Sequence, residues 1–245
     1  MIKYLEPLHR DTADETESAG ETHAPPPESG TRRLSPGQAP SKYGSLRERL
    51  LVAANGAPLR TIVFGGCEGR EGSTSVIREF AEMLASSGPN VLLVDADLRT
   101  SGLMTHPAAG TGDLWDLVNA GSVPPPTRWG KGQLTVILSP RSTPDSELFF
   151  RSPEFVSWLD TQRKQYDYVL LDCAPLLRFA DGALVGRLAD GVVIVVQAER
   201  SHRDSLVRVR NQLQRAGVNV IGVVLNRARN PVPRALQPYL LDYLD

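Results

Sequence analysis

Nowhere in the 245-residue chain is there a run of the roughly 18 to 20 apolar residues that would cross a bilayer. The opening MIKYLEPLHRD also lacks the apolar core of a secretory signal. A spanning protein is therefore not expected, and the cytoplasm is the expected compartment. Excess charge of either sign is missing too: 27 basic residues meet 28 acidic ones, for a formal net charge of -1. That balance gives no footprint for a polyanion, so no nucleic-acid partner is expected. Cysteine is scarce. Cys67 and Cys173 lie far apart and match neither a zinc spacing nor a disulfide framework. Two small reduced core residues are one reading of them. A redox-sensitive pair is the other, provided the fold makes their segments neighbours about 5 Å apart in one sheet.

Hydrophobic residues make up 41% of the chain, enough to build a sizeable core. They are not spread evenly. The stretch TADETESAGETHAPPPESGTRRLSPGQAP has almost no large apolar side chain and cannot offset its ordering entropy, so residues 1–40 are expected to form a disordered arm. Within that arm, Met1 to Arg10 carries Ile2, Tyr4, Leu5 and Leu8, which fit a helical turn, a docking peptide or a frayed terminus. One folded domain is expected over 41–245.

Across that domain short apolar runs alternate with helical periodicity. Strands are expected at Thr61 to Phe64, Val91 to Asp95, Leu134 to Leu138, Tyr168 to Asp172, Gly191 to Gln197 and Val218 to Leu225. Val76, Ile77, Phe80, Ala81 and Leu84 recur at helical spacing, as do Leu206, Val209 and Leu213. Several strands are apolar at nearly every position, as a sheet covered on both faces requires. The fold class is α/β, a parallel sheet flanked by helices on both faces.

The strand TIVF runs into GGCEGREGSTS and then a helix. In that order a Gly-rich turn can aim backbone N–H groups and a positive helix end at a phosphate. The full phosphate-loop pattern ends in Gly-Lys-Ser/Thr, whereas here Gly72 is followed by Ser73 and Thr74. On the loop alone, a structural turn and a phosphate cradle are both open. VLLVDADLR then puts Asp95 and Asp97 at the C-terminal end of one apolar strand, and YDYVLLDCAP puts Asp172 at the end of another. Open α/β sheets bind ligands along that edge. Three carboxylates there, beside a Gly-rich loop, suit a magnesium ion and a phosphorylated ligand.

These segments together resemble the bacterial tyrosine kinases, the autokinases paired with polysaccharide co-polymerases. VLLVDADLR resembles their D-x-D-x-R motif, and YDYVLLDCAPLLRFADGALV resembles their Walker B stretch, with Asp181 on its later Asp. GTGDLWDLVNAG is similar to their Gly-Leu-x-Asp-x-Leu segment, and GVNVIGVVLNRAR to the strand whose Asn, here Asn226, faces the adenine. The resemblance covers about Ser41 to Arg229 and implies a P-loop NTPase fold that binds ATP and Mg2+. It places the phosphates over Gly69, Arg70, Glu71, Gly72, Ser73, Thr74 and Ser75, with the metal on Thr74 and Asp172. Asp95 and Asp97 are the implied catalytic carboxylates, Asp95 helping to deprotonate a tyrosine hydroxyl.

The departures from the family pattern carry information as well. Ser73 stands at the loop lysine, Arg70 at a glycine, and a lysine near the start of the loop, used by related positioning ATPases, is absent. The self-association motif E-x-x-R-x-x-R falls on Ser41, Gly44 and Arg47, retaining only its last residue, which implies a monomer or weak dimer. The tyrosine cluster is reduced to Tyr239 and Tyr243. The implied function is in exopolysaccharide or capsule biosynthesis with a membrane co-polymerase, a chain-length determinant protein, with ATP use weak or absent. A non-catalytic pseudokinase scaffold is the alternative, and a ParA/MinD-type positioning ATPase the third.

Overall fold

The computed structural model describes residues 3–5, 46–48, 59–99, 109–140 and 142–228. Nine strands form one sheet: β1 (Lys3–Leu5), β2 (Thr61–Gly66), β3 (Asn90–Ala96), β4 (Ala109–Asp113), β5 (Thr127–Trp129), β6 (Gly132–Leu138), β7 (Tyr168–Cys173), β8 (Gly191–Gln197) and β9 (Val220–Asn226). The order across the sheet is β1-β9-β8-β2-β7-β3-β6-β4, with β5 beside β6. The seven strands from β9 to β4 pair in parallel, while β1 on β9 and β5 on β6 are antiparallel. Six helices are described between them: α1 (Ser73–Ser86), α2 (Leu114–Asn119), α3 (Ser146–Arg151), α4 (Pro153–Gln165), α5 (Asp181–Leu188) and α6 (Arg203–Arg215).

Period-two alternation splits each central strand between two cores. Ile62 and Phe64 of β2, with Val91 and Leu93 of β3, pack against the Val76, Ile77, Phe80, Ala81 and Leu84 stripe of α1. Val63, Leu92, Val94, Val169, Leu171 and Ile194 face the other way, against α2 to α6. On that second face Trp115, Phe149, Phe150, Phe155 and Trp158 form a continuous aromatic chain of stacked and edge-on contacts, with centroids 4.7 to 6.1 Å apart. Burying one such ring contributes about 1.5–3 kcal/mol, so the two cores fix the strand order strongly.

All six expected strands form, each within two residues of its expected ends. Three further strands do not follow from the sequence pattern. Of the expected arm, Lys3–Leu5 is a strand on β9, a correction to disorder over all of 1–40. The open edge of β9 presents unpaired N–H and C=O groups, and a short extended segment satisfies them without any long apolar run. Residues 6–40, and with them most of the arm, lie outside the described residues, as do Ser41, Gly44, Tyr239 and Tyr243. No described helix is long and apolar enough to cross a membrane.

Candidate functional site

The loop from β2 to α1 is shaped by its own side chains. Gly69, Arg70 and Gly72 have φ of 105°, 71° and 83°. At Gly72 a Cβ would lie 2.6 Å from Asn226 Nδ2, and at Gly69 it would lie 3.2 Å from Pro175, so both positions need glycine for space as well as for conformation. Glu71, buried, turns its carboxylate back to accept the N–H groups of Glu68 and Gly69, each at 2.8 Å. Asn226 donates its side-chain N–H to the Glu71 carbonyl at 2.9 Å and accepts from the Arg227 N–H. The Ser205 hydroxyl, from α6, donates to the Glu68 carboxylate. The base of the loop is thereby tied to β9 and α6.

These braces leave the head of α1 open. Gly72 provides no capping side chain, and the first turn contains no acidic residue. The first intrahelical bond runs from Val76 N–H to Gly72 carbonyl at 3.0 Å, so the amides of Ser73, Thr74 and Ser75 precede the hydrogen-bonded helix. Together with the helix dipole they form a site suited to an anion.

A cleft of about 640 Å³ lies against that helix end. It is lined by Gly66, Glu68, Gly69 and Arg70 of the loop, Ser73 and Thr74 of α1, Asp97 beyond β3, and Cys173, Pro175 and Arg178 at and beyond the end of β7. Five of the expected site residues, Gly69, Arg70, Ser73, Thr74 and Asp97, therefore converge on one cleft. Glu71 turns inward as the loop's brace and, with Glu68, Gly69 and Arg70, borders a smaller hollow near Gln197 and Arg200. Arg178 and Pro175 were missed in the sequence; the only available signal was a cation six residues beyond Asp172, at the sheet edge where ligands bind.

Asp95 and Asp172 are register partners on adjacent strands and both are buried. Burial pushes the Asp95 carboxyl up to about 7, the neighbouring Asp97 carboxylate adding to the rise and backbone N–H groups opposing it. Burial likewise holds Asp172 well above the carboxylate range, opposed by a side-chain hydrogen bond with Thr74 and reinforced by Asp95 and Asp97. One Asp172 oxygen has no hydrogen-bond partner among the described residues. A hard divalent cation fits here: an orphaned carboxylate oxygen beside a Thr hydroxyl is the donor set that magnesium takes when phosphates and water complete its shell.

The carboxylates do not form a single ligand set. Among the described residues no three His, Cys, Asp or Glu side chains are grouped to share a metal ion, and the pair expected to hold one, Thr74 and Asp172, includes a single carboxylate. Asp95 accepts the Asp97 N–H at 3.1 Å and Asp97 accepts the Arg99 N–H at 3.1 Å, each an Asx turn that fixes the strand exit. Arg99 forks onto Asp181, with Nε to Oδ2 at 2.9 Å and Nη2 to Oδ1 at 3.1 Å, and also reaches the Pro144 carbonyl and Glu147. Asp97 borders the cleft, while Asp95 lies inside the strand and supports the Asp97 backbone. Asn226, expected to face a base, has its side-chain amide bonded to the loop backbone.

The cysteines separate along the same lines. β2 and β7 are neighbours, with Gly65 opposite Cys173, so the expected adjacency holds. Both thiols are free and buried. Burial, then Glu71 and Glu68, pushes Cys67 up to about 12, and burial with Asp172 raises Cys173 far above the usual thiol range. Neither forms a thiolate near neutral pH, so they are packing residues.

No family model matches the chain. Among known proteins it is 26% identical over 174 residues to the tyrosine-protein kinase CpsD of Streptococcus agalactiae, covering 66% of this chain and 72% of that one. It is 33% identical over 193 residues to the putative tyrosine-protein kinase EpsB of Ralstonia solanacearum, covering 74% of this chain but 25% of the relative. The succinoglycan biosynthesis transport protein ExoP of Rhizobium meliloti is 29% identical over 178 residues, 70% of this chain and 23% of its own length. The kinase domain of the Escherichia coli tyrosine kinase ETK superposes with a TM-score of 0.62 at 26% identity, covering 77% of each chain. Over most of its described length the chain is therefore similar to the bacterial tyrosine kinases of exopolysaccharide biosynthesis, and it carries the P-loop NTPase fold.

Proposed function

We propose that this chain binds Mg-ATP in the cleft at the head of α1, transfers phosphate to tyrosine poorly, and regulates exopolysaccharide chain length or export beside a membrane co-polymerase. The observation that carries the reading is the pairing of an uncapped helix end with the orphaned oxygen of buried Asp172, next to Thr74. Anion and cation sites meet at one point, as a metal-bound triphosphate needs. The amides of Ser73, Thr74 and Ser75 receive phosphate oxygens, while Thr74 and Asp172 hold the cation. Magnesium, when bound, neutralises charge on the outer phosphates. Asp97 lies where it can accept the proton of a hydroxyl entering the cleft, and Asp95 fixes the Asp97 backbone.

Ser73 supports low turnover. A lysine there would follow the transferred group's charge in the transition state, which a serine hydroxyl does not stabilise. The same residue favours the second reading, a non-catalytic scaffold in which the fold serves only to dock the co-polymerase. The chain would act at the inner face of the cell membrane through that partner, as a monomer or weak dimer. Calorimetric titration of the intact chain with ATP, with and without magnesium, separates the two. Saturable binding that requires magnesium is expected. No heat up to millimolar ATP in either condition overturns the nucleotide site and leaves the scaffold.

A further inference from the structure

We infer that Arg178 supplies the phosphate-facing charge that Ser73 does not, contacting the nucleotide's phosphates from the turn that follows β7. The inference rests on the nucleotide reading of the cleft and assigns its missing cation.

The backbone argues for it first. The turn after β7 is docked on the phosphate loop by two hydrogen bonds, Leu176 N–H to Gly66 carbonyl at 2.9 Å and Leu177 N–H to Cys67 carbonyl at 3.0 Å. Gln212 of α6 holds the Leu176 carbonyl from behind at 3.2 Å. Arg178 closes this turn with its N–H on the Pro175 carbonyl at 3.0 Å. Its Cα is therefore fixed relative to the loop, and its side chain borders the same cleft as Ser73 and Thr74. Anchoring of this kind spares the cost of ordering the backbone when the side chain engages a ligand.

Charge argues for it next. The cleft is lined by the carboxylates Glu68 and Asp97 and by the cations Arg70 and Arg178, so a protein cation for a triphosphate there comes from one of these two arginines. Arg99 is engaged with Asp181 and Glu147 and does not border the cleft. Arg70 does border it, but as part of the loop itself, and it also borders the hollow near Arg200. Arg178 is exposed and has no ion-pair partner among the described residues. A guanidinium is always charged and can fork onto two phosphate oxygens, so it can replace a lysine ammonium in ground-state binding.

The test titrates wild type, Arg178→Ala, Arg178→Lys and Arg70→Ala with Mg-ATP and, separately, with adenosine. Arg178→Ala is expected to weaken ATP about ten- to hundredfold and leave adenosine unchanged, while Arg178→Lys stays within about threefold of wild type. Adding Ser73→Lys to Arg178→Ala recovers most of the loss. Thermal melting checks folding, and Arg178→Gln, which keeps the apolar stem, takes the place of any variant that melts early. Wild-type ATP affinity in Arg178→Ala, or an equal loss for adenosine, overturns the assignment. A loss confined to Arg70→Ala overturns it in favour of the loop arginine. Wild type that binds no ATP at all instead overturns the nucleotide reading, a result distinct from either.

Discussion

Replacing Asp95 by Asn should make this protein more stable at pH 8 and little changed at pH 5. The Asp95 carboxyl is 4% exposed, faces Asp172 across the β3–β7 pair and is raised from 3.8 to about 7. A group whose folded pKa lies above its unfolded one adds stability that is complete below the unfolded value and lost as pH rises through the folded value. The window therefore opens near pH 4 and closes above pH 7. Over it the shift is worth about 4 kcal/mol, of which relaxation of the neighbouring carboxyls removes about half. Asn keeps an oxygen for the Asp97 N–H, so the Asx turn survives while the titration disappears. Urea melts of both proteins in chelator should show wild type losing stability from pH 5 to 8, with Asp95→Asn ahead by about 2 kcal/mol at pH 8. In thermal melts that corresponds to about 4–8 °C for a domain of this size. Equal advantage of the variant at both pH values, or wild-type stability that rises with pH across the window, would refute the buried-carboxylate account.

Ser73→Lys should raise tyrosine phosphorylation at least tenfold while tightening ATP binding less than tenfold, because Arg178 already serves the ground state; no gain in either quantity would sink the lysine argument. Arg99→Ala should destabilise the fold by about 3–5 kcal/mol, since it leaves Asp181, which has no exposed surface, holding an uncompensated charge at the α3–α5 contact; a denaturant midpoint equal to wild type would contradict this. Cys67 and Cys173 should stay unreactive toward a soluble disulfide reagent at pH 8 in the native protein and react after unfolding. Rapid native labelling of either would restore the redox reading.

The sheet was legible because its central strands are buried on both faces, so Val, Ile and Leu runs mark them without ambiguity. β1, β4 and β5 were not, because edge strands are short and are defined by the backbone groups of a neighbour more than by their own side chains. In the site, the loop and the aspartates could be placed from their position after strands. What each does could not. Glu71 looks like one more polar loop residue until its carboxylate is seen closing on the loop's own amides. Asn226 sits where a base-facing side chain is implied, yet the close approach of Gly72 turns it to the loop. Arg178 carries no local pattern at all; only the docking of its turn on Gly66 and Cys67 brings it to the cleft.

Binding and phosphotransfer separate on the proposed assignment of charge. A lysine at Ser73 would rise from the first turn of α1, on the same side as the amides that hold the phosphates, and would move with the charge as the outer phosphoryl group leaves. Arg178 reaches the cleft from a turn that is bonded to the loop and to α6. On the proposed reading it serves the triphosphate in the ground state, while the group that would follow the transferred charge is the absent lysine. Interactions equal in ground and transition state tighten binding without raising turnover. On the proposed reading the chain would bind Mg-ATP more readily than it consumes it. The proposed regulatory role would then act through occupancy of the cleft, and the braces from Asn226 and Ser205 connect the loop to β9 and α6.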